Sequence, residues 1–384
     1  MKKNIIILGS TGSIGKSLLK IIKKNKSIFS IKLLTAKTNY KDLLKQAKFF
    51  KVKNIIITDK KSYENAKKNR LNKNINIYND FNHLNKFLKY RADYTMSSII
   101  GIEGLKPTIK LIKHSKKIAI ANKESIVCGW SLIDKELKKY KTKFLPIDSE
   151  HFSIWFALKD TKINQVDQIY ITASGGPFLN TPLNKLKKIK ISQALNHPSW
   201  KMGKKITIDS STMMNKVFEI IEARNIFNIP YKKLNILTHP KSYLHAIIKF
   251  NNGLIKTILH DTTMEIPIQN TLLENSNNFF NSNEINLNVL NNLNLKEIDQ
   301  TKFPLVKILK KLPNKNSLYE TVLVAANDSI VEEYLRGKIK YSDINKKLWK
   351  FINNKEFEKY KRIKPKKIEN ILNLNKYVRL KINL

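Results

Sequence analysis

Short apolar runs alternate with longer amphipathic stretches from residue 3 to about residue 147. The runs are rich in β-branched side chains, as buried strands are, and the longer stretches have a helical period. Strands are expected at residues 5–8, 31–35, 54–57, 118–121 and 144–147, and helices at 14–24 and 40–50. This βαβ rhythm predicts an α/β fold that begins with a doubly wound, Rossmann-like parallel sheet.

The pattern changes twice further along the chain. A second set of strands is expected at residues 168–172, 205–208, 235–238, 246–250 and 255–259. An asparagine-rich stretch at 275–299 has little periodicity, and amphipathic helices are expected after it at 317–335, 341–353 and 366–377. We therefore expect a first domain at 1–148, an α+β domain at 149–275, a linker at 276–300 and a C-terminal α-helical domain at 301–384.

A glycine-rich segment follows the first expected strand and opens the first helix. Glycines stand at positions 9, 12 and 15, which is the spacing G-x-x-G-x-x-G. Glycine permits a tight turn and lets the backbone approach a pyrophosphate, whose charge is favoured at a helix N-terminus. The segment therefore indicates a dinucleotide site, although an ordinary glycine-rich turn has the same composition.

The end of the second expected strand bears on which dinucleotide is bound. Enzymes that use NAD usually place Asp or Glu there, to hold the ribose 2′-hydroxyl. This chain has Lys37, Thr38 and Asn39 instead, with no acid and one cation. A 2′-phosphate suits such a position, so NADPH is favoured over NADH.

Acidic residues in two segments indicate a metal site. Asp148 and Glu150 follow the strand expected at 144–147, and side chains two apart on extended backbone point the same way. Glu219 lies on a helix that Ser210 is suited to cap. Carboxylates without a nearby thiolate suit a hard cation such as Mg²⁺ or Mn²⁺. Taken singly, the first segment could be an exposed acidic turn and the second a solvated helix face.

The helix that carries Glu219 also offers groups for a phosphate. Asn215 and Lys216 lie four and three residues before Glu219, so the three side chains share one face. With Ser210 at the capped end, this face is well suited to bind a phosphate. Ser174 follows another strand among small residues, where an anion can approach or where a plain turn is equally expected.

Two further segments carry candidate ligand contacts. Residues 197–204 combine His197, Trp200 and several lysines with Gly203, which suits a lid over an anion, although a surface loop has the same composition. Asn122, Lys123 and Glu124 come just after a strand of the first domain, where doubly wound sheets bind ligands. The other histidines have no metal-site spacing, and we expect structural roles for them: His83, His114, His151, His239, His245 and His260.

The charge of the chain has a simpler explanation than nucleic-acid binding. The sequence has 72 Lys and Arg against 30 Asp and Glu, a formal net charge of +42. The lysines are spread through every segment, together with many asparagines and isoleucines, as A/T-rich codons would produce. We therefore expect no specific nucleic-acid partner, only steering of phosphorylated ligands and non-specific binding to polyanions at low salt.

The start of the chain and its hydropathy indicate a cytoplasmic protein. Cys128 is the only cysteine, which excludes an intrachain disulfide and a thiolate metal cage. No apolar run approaches the roughly 20 residues that cross a bilayer, so we expect no membrane partner. The apolar run at the start leads into the glycine segment rather than into a cleavage site.

Taken in order, these motifs resemble those of the 1-deoxy-D-xylulose 5-phosphate reductoisomerases. The resemblance rests on residues 9–15, 122–125, 148–151, 174–178, 197–203 and 209–219, and the Ala-Ala-Asn-Asp at 325–328 fits as well. It implies a homodimeric enzyme that uses NADPH and a divalent metal (Mg²⁺, Mn²⁺ or Co²⁺). Such an enzyme rearranges and reduces 1-deoxy-D-xylulose 5-phosphate to 2-C-methyl-D-erythritol 4-phosphate, a precursor in non-mevalonate isoprenoid synthesis.

The resemblance also implies roles for single residues. It implies that the metal ligands are Asp148, Glu150 and Glu219, which with Lys123 and His197 form the catalytic group. It implies that the substrate phosphate is bound by Ser174, Ser210, Asn215 and Lys216. The rest of the substrate would be contacted by Lys123, Ser149, Glu150, His197 and Glu219, with Trp200 closing from the lid. The nucleotide would be contacted by Thr11, Gly12, Ser13, Ile14, Asn122, Glu124 and Gly203. The end of the second strand, and not the resemblance, places Lys37, Thr38 and Asn39 near its 2′-phosphate.

Three stretches depart from the family pattern. Val217 and Phe218 replace an expected Gly-Leu, and residues 260–265 replace a Pro-Asp-Met-Arg-like stretch. These two concern packing and interface more than chemistry. Residues 37–39 replace a Gly-Lys-Asn run, which leaves open how the 2′-phosphate is contacted.

Two other functions fit parts of the sequence. One is an NADPH reductase of another substrate, such as a semialdehyde, but hydride transfer alone does not need the expected metal cluster. The other is a basic nucleic-acid-binding protein, which the dispersed lysines disfavour.

Overall fold

The structure, a computed structural model, describes residues 2–69, 74–274 and 283–383, so the last residue of the expected α+β domain (275) and the start of the expected linker (276–282) lie outside the described residues. The described chain forms two compact units. The first contains residues 2–69, 74–126, 131–148 and 264–274, and the second contains 127–130, 149–263 and 283–383.

A parallel sheet is the centre of the first unit. Its strands are β1 (Lys3–Leu8), β2 (Phe29–Ala36), β3 (Asn54–Ile57), β4 (Asn76–Tyr78), β5 (Tyr94–Ser97), β6 (Lys117–Ile120) and β7 (Lys143–Pro146). The order is β4-β3-β2-β1-β5-β6-β7, and all neighbouring strands are parallel. Ile5, Ile6, Ile7 and Leu8 are fully buried, as a continuous apolar run in a sheet covered on both faces should be. The predicted doubly wound sheet is confirmed.

A mixed sheet lies in the second unit. Its strands are β8 (Val166–Ala173), β9 (Leu234–Thr238), β10 (Leu244–Phe250), β11 (Ile255–Leu259) and β12 (Lys296–Glu297). The order is β11-β10-β8-β9-β12, with β8 and β9 parallel and the other pairs antiparallel. Ile169, Ile171 and Ile248 on one face pack with Ile154 and Ile220 from two helices. This α+β core holds those helices against the sheet.

Helices of very different length connect and cover the two sheets. In chain order they are α1 (Ser13–Lys24), α2 (Tyr40–Phe49), α3 (Lys60–Lys68), α4 (Leu84–Phe87), α5 (Leu105–Ile112), α6 (Lys123–Tyr140), α7 (Ser149–Ala157), α8 (Ile191–Ala194), α9 (Lys204–Ser211), α10 (Met214–Phe227), α11 (Glu265–Leu272), α12 (Leu287–Asn291), α13 (Tyr319–Leu335), α14 (Tyr341–Ile352), α15 (Lys355–Glu358) and α16 (Ile368–Asn383). The expected C-terminal helices are confirmed, and the last one continues to Asn383. Among the described residues, no helix has both the length and the apolarity that a bilayer crossing requires.

One expected strand is wrong. Residues 205–208 belong to α9, where the backbone N–H of Thr207 donates to the carbonyl of Gly203 over 3.1 Å. Their alternation of polar and β-branched residues imitates a half-buried strand. Packing decides otherwise, because Thr207, Ile208 and Ser211 are buried together as one face of a helix.

Two local expectations around the acidic residues are also wrong. Ser210 lies in the last turn of α9 and does not cap α10, which follows Met213 in a left-handed conformation (φ 64°) without a side-chain cap. Glu150 is not on extended backbone, because β7 ends at Pro146 and α7 begins at Ser149. The convergence of carboxylates therefore comes from the start of α7 and the second turn of α10 rather than from strand alternation.

Candidate active site

The expected nucleotide contacts of the first unit lie at the carboxyl edge of the parallel sheet. Gly9 follows β1 with φ +76°, and a Cβ there would lie 2.8 Å from the carbonyl oxygen of Ser98. A Cβ on Gly15 would lie 2.5 Å from Cα of Ser10. Both positions therefore require glycine, and the loop enters α1 with Thr11, Gly12, Ser13 and Ile14 around its N-terminus.

Residues after β2 lie at the same edge. The ammonium of Lys37 pairs with the Glu103 carboxylate at 2.7 Å, but both groups are more than half exposed, so the pair contributes little to stability. Asn39 caps α2 by accepting from the N–H of Asp42, and Thr38 precedes it. The strand end itself carries no carboxylate.

The start of α6 is fixed from two sides. Asn122 accepts from the N–H of Ser125 and donates its amide to the carbonyl of Gly101 over 2.8 Å, which ties the end of β6 to the loop after β5. Glu124 is buried in the first turn. The ammonium of Lys123 donates to the Asp148 carboxylate over 2.6 Å. Asp148 is thereby held at the end of the first unit.

In the second unit, Lys216 joins carboxylates from two helices. Its ammonium donates to Glu150 on α7 over 2.5 Å and to Glu219 on α10 over 2.6 Å. Burial alone would lower the pKa of Lys216, but the two carboxylates outweigh it and hold that pKa above its usual value. Ser149 donates to Glu150 and Asn215 to Glu219, so hydrogen bonds orient both carboxylates.

Asp148 is bonded directly to Ser149, and its carboxylate joins this group. One oxygen each from Asp148, Glu150 and Glu219 lies within 4.8 Å of the others. An all-carboxylate set without sulfur is the donor chemistry of a hard divalent cation. The residues therefore fit the metal that the sequence predicts.

A buried histidine and a second glutamate lie behind this group. The Nε2 of His151 lies 2.8 Å from the backbone carbonyl of Glu219, and its Nδ1 lies 3.8 Å from the Glu222 carboxylate. The sequence predicts only a general structural role for His151 and no role for Glu222. A signal existed, because Glu222 lies three residues after Glu219 and so shares its helix face.

Three polar side chains meet elsewhere in the second unit. Nε2 of His197 lies 2.9 Å from Oγ of Ser174 and 3.2 Å from Oγ of Ser210. Its Nδ1 accepts from the N–H groups of Ser199 and Trp200, so Nε2 carries the ring proton. Burial, with a smaller effect from the charge of Lys216, lowers the pKa of His197 to about 4. Ser174, His197 and Ser210 are therefore a neutral hydrogen-bonding cluster.

The residues expected for the phosphate do not all meet. Ser174 and Ser210 share His197, whereas Lys216 and Asn215 contact the carboxylates. The two groups are linked along α9 and α10 rather than by a direct bond among these side chains.

The expected lid is an irregular segment that leads into α9. Trp200 is half-buried, and its indole meets the ring of His245 edge-on at a centroid distance of 6.2 Å. His245 in turn stacks on His260 at 3.7 Å. Gly203 caps α9, and a Cβ there would meet nothing within 4 Å. The ring stack has no local signal in the sequence, because the two histidines are 15 residues apart on paired strands and their flanks.

Comparisons with known proteins agree along the whole chain. The chain matches the description "1-deoxy-D-xylulose 5-phosphate reductoisomerase" over residues 5–129, the C-terminal domain of that enzyme over 144–227, and "DXP reductoisomerase C-terminal domain" over 259–381. The 1-deoxy-D-xylulose 5-phosphate reductoisomerase of Pelagibacter ubique (strain HTCC1062) is 56% identical over 383 residues, which is 99% of each chain.

Solved structures of such enzymes are similar as well. The enzyme from Zymomonas mobilis in complex with NADPH is 32% identical, with a TM-score of 0.86 over 100% of this chain and 98% of its own. A reductoisomerase in complex with NADPH, fosmidomycin and magnesium is 28% identical, with a TM-score of 0.91 over 99% and 97%. On the strength of its motifs, its fold and these matches, the chain belongs to the 1-deoxy-D-xylulose 5-phosphate reductoisomerase family.

Proposed function

We propose that the protein converts 1-deoxy-D-xylulose 5-phosphate to 2-C-methyl-D-erythritol 4-phosphate, with NADPH as the reductant and a divalent cation as the Lewis acid. Family membership supports the reaction and both cofactors. Within this chain, the observation that carries the proposal is the convergence of the Asp148, Glu150 and Glu219 carboxylates. Simple hydride transfer would not need such a group.

Asp148, Glu150 and Glu219 would hold the cation, which is Mg²⁺, Mn²⁺ or Co²⁺. When bound, it polarises the substrate carbonyl and stabilises developing oxyanions. Lys216 donates to both Glu150 and Glu219 and so offsets the mutual repulsion of the two carboxylates that would bind a hard cation. Asn215 restricts the orientation of Glu219.

Ser174, Ser210 and His197 would bind the substrate phosphate, together with Asn215 and Lys216. The Nε2–H of His197 and the two hydroxyls are donors of the kind that a phosphate requires. Lys123, Ser149, Glu150, Glu219 and His197 would face the carbon chain. A phosphate bound away from the reacting carbons supplies binding energy that orients them.

NADPH would bind at the carboxyl edge of the parallel sheet. Its pyrophosphate suits the turn at Gly12 and the N-terminus of α1, with Thr11, Ser13 and Ile14 beside it. Its 2′-phosphate suits the strand end of Lys37, Thr38 and Asn39, where no acid repels it. Asn122, Glu124 and Gly203 complete the proposed contacts.

The segment at residues 197–204 would act as a lid, with Trp200 covering the substrate. Its irregular backbone and its indole support this role. Exclusion of water by a closed lid protects a reactive intermediate and strengthens hydrogen bonds inside the site.

For the whole chain we propose an NADPH-binding domain at 1–148, a catalytic domain at 149–275, a linker at 276–300 and a helical domain at 301–384. We propose a cytoplasmic homodimer, with no membrane and no specific nucleic acid as partner. The lone, buried Cys128 is consistent with a reducing compartment. The exposed edge strand β11 supports self-association.

The test is NADPH oxidation by the purified protein with 1-deoxy-D-xylulose 5-phosphate. Oxidation should require both the sugar phosphate and a divalent cation, should stop with a chelator, and should yield the branched polyol phosphate by NMR. Oxidation that is indifferent to the chelator, or an unbranched product, would point to a simple reductase instead.

A further inference from the structure

Ser210 has an unusual setting for a surface hydroxyl. It is partly exposed, whereas Asp209 and Ser211 on either side of it are 2% and 1% exposed. A side chain that reaches solvent between two buried neighbours has its direction set by what holds those neighbours. Both are held by the C-terminal helices.

Asp209 is held by side chains from α9 and α13. The amide of Asn327, which is fully buried on α13, donates to one oxygen of the Asp209 carboxylate over 2.8 Å. The ammonium of Lys205 lies 3.1 Å from the other oxygen and 2.9 Å from Asp328, the residue after Asn327. A buried carboxylate with two such partners is restricted to one arrangement, because losing a partner would leave its charge poorly compensated.

Ser211 is held by Tyr341 of α14. The phenol of Tyr341 donates to the backbone carbonyl of Ser211 over 2.8 Å. The same ring packs edge-on against Phe178 at a centroid distance of 5.0 Å. Phe178 closes the short turn that follows Ser174, so Tyr341 contacts both segments that supply serines to the His197 cluster.

The two serine segments also touch each other directly. Gly176 has φ +64°, and a Cβ there would lie 2.9 Å from Cα of Ser211 and 3.0 Å from the carbonyl oxygen of Ser210. The contact leaves no room for a side chain. The separation of Ser174 and Ser210 is therefore set by backbone packing that Asn327 and Tyr341 hold from the far side.

We propose that Asn327 and Tyr341 are positioning residues for the phosphate seat formed by Ser174, His197 and Ser210. They do not touch the phosphate. They fix the end of α9 so that the Ser210 hydroxyl stays within hydrogen-bonding reach of the anion that Ser174 and His197 also bind. This inference rests on the proposed function, which places the substrate phosphate at that seat.

The test compares Tyr341→Phe and Asn327→Leu with the unchanged protein. Inorganic phosphate serves as a competitive inhibitor that probes the seat without the rest of the substrate. Each variant should raise the inhibition constant of phosphate and the KM of the sugar phosphate together, by about three- to tenfold. A displaced Ser210 hydroxyl would lose part of its hydrogen bond to the charged phosphate, and the whole bond is worth about that much or more. The KM of NADPH should change by about twofold at most, because the loss of this hydrogen bond does not affect the contacts to the nucleotide.

A double variant that includes Ser210→Ala distinguishes a positioning role of Tyr341 from a general loss of fold stability. In a Ser210→Ala background, Tyr341→Phe should cause no further loss of phosphate binding, because the hydroxyl that it positions is gone. Ser329→Ala is the matched control, since Ser329 is buried on α13 and bonds only to the helix carbonyl of Ala325 among its described contacts. It should leave the phosphate constant unchanged.

Each contrary outcome has a distinct meaning. An unchanged phosphate constant in Tyr341→Phe, when Ser210→Ala raises it, would overturn the positioning role and leave the phosphate seat intact. Additive losses in the double variant would also overturn it. No effect from Ser210→Ala itself would overturn this inference and the proposed phosphate seat together. If Asn327→Leu does not fold, Tyr341→Phe carries the test, since it removes one hydroxyl and keeps the ring.

Discussion

Lys216 connects two of the proposed metal ligands, because its buried ammonium donates to carboxylates from two helices. Its neighbours along the chain predict a phosphate contact, yet its ammonium lies between Glu150 and Glu219. The spacing of Lys216 and Glu219 could be predicted, because residues three apart share a helix face. The approach of Glu150 could not, because it depends on how α7 packs against α10, 66 residues away in sequence.

Glu219→Gln should keep the fold, weaken metal binding and remove most turnover. A neutral amide is a poorer ligand for a hard cation than a carboxylate is. Metal affinity and turnover are measured by titrating Mg²⁺ into the assay. Glu332→Gln, an exposed change on α13, is the control and should behave as the unchanged protein does. Near-normal activity of Glu219→Gln at limiting Mg²⁺ would remove it from the ligand set.

His197 should remain neutral, with its proton on Nε2, throughout the range from pH 5.5 to 8, because its pKa is lowered to about 4. Its unfolded-state pKa is higher, so the unfolded chain binds more protons between pH 4 and pH 6.5. Stability from this residue is therefore fully present above pH 6.5 and is lost as the pH falls through about 4. Nitrogen-15 NMR of labelled imidazole, assigned with His197→Gln, reports the tautomer. A titration of His197 near pH 6.5 would contradict the proposed burial.

At the scale of single elements, hydrophobic period located most strands and helices but failed at α9. A strand and a short helix cannot be told apart when four residues alternate in polarity, and the N-terminal Gly203 gives no side-chain cap. What makes the segment helical is its packing against α10 and α13, through contacts such as Asn327 with Asp209. Asn327 is 118 residues away from Asp209 in sequence, so a local pattern does not contain this contact.

The lid should close only when ligand is bound. Residues 197–203 have no regular backbone, and Lys201 and Lys204 are exposed. The sugar phosphate, or a phosphonate with a metal-chelating hydroxamate, should protect Lys201 and Lys204 from trypsin. Trp200→Ala should raise KM and lower turnover while affecting NADPH affinity less. Cleavage at Lys201 that ligand does not alter, or full activity of Trp200→Ala, would show that the segment is not a lid.

The protein should become less stable as the pH rises, because of the buried residue Glu320 on α13. Burial raises the pKa of Glu320 to about 7 from its ordinary value of 4.5, although Ser317 donates to its carboxylate. The folded state then binds more protons than the unfolded state between pH 4.5 and pH 7. Stability from this residue is present below pH 4.5 and is lost as the pH rises through about 7.

Glu320→Gln should remove this loss. A shift of this size corresponds to about 3 kcal/mol at most, so the variant should gain up to about that much relative to the unchanged protein between pH 5 and pH 8. Urea unfolding at several pH values measures it. An exposed change, Glu369→Gln on α16, should keep the original pH dependence. If the stability of Glu320→Gln depends on pH as that of the unchanged protein does, the Glu320 carboxyl ionises in the folded protein without a loss of stability, and the prediction is wrong.

For the whole molecule, the net charge of +42 comes from lysines spread through every segment rather than gathered into one site. The positive side chains that matter for the site are few and paired, such as Lys123 with Asp148 and Lys216 with two glutamates. The remaining excess of positive charge raises the local concentration of phosphorylated ligands, an effect that salt screens.

Family and reaction were predictable from the sequence because the motifs keep their order along the chain. An interface between two copies of the chain leaves no such local signature.

Self-association should depend on β11, one of the two edge strands of the mixed sheet. Leu254 is 66% exposed and Ile255 59% exposed, next to a row of backbone groups that a second strand would pair with. Natural edge strands of this kind are covered or carry charge that blocks pairing. Ile255→Lys should therefore weaken dimerisation by about tenfold or more, which is about 1.4 kcal/mol. Sedimentation velocity over a range of concentrations measures the dissociation constant.

Leu380→Lys is the control, because Leu380 is similarly exposed but lies on helix α16, where no strand can pair. A chain that is monomeric without any substitution would refute the dimer, and an Ile255→Lys variant that dimerises normally would move the interface away from β11.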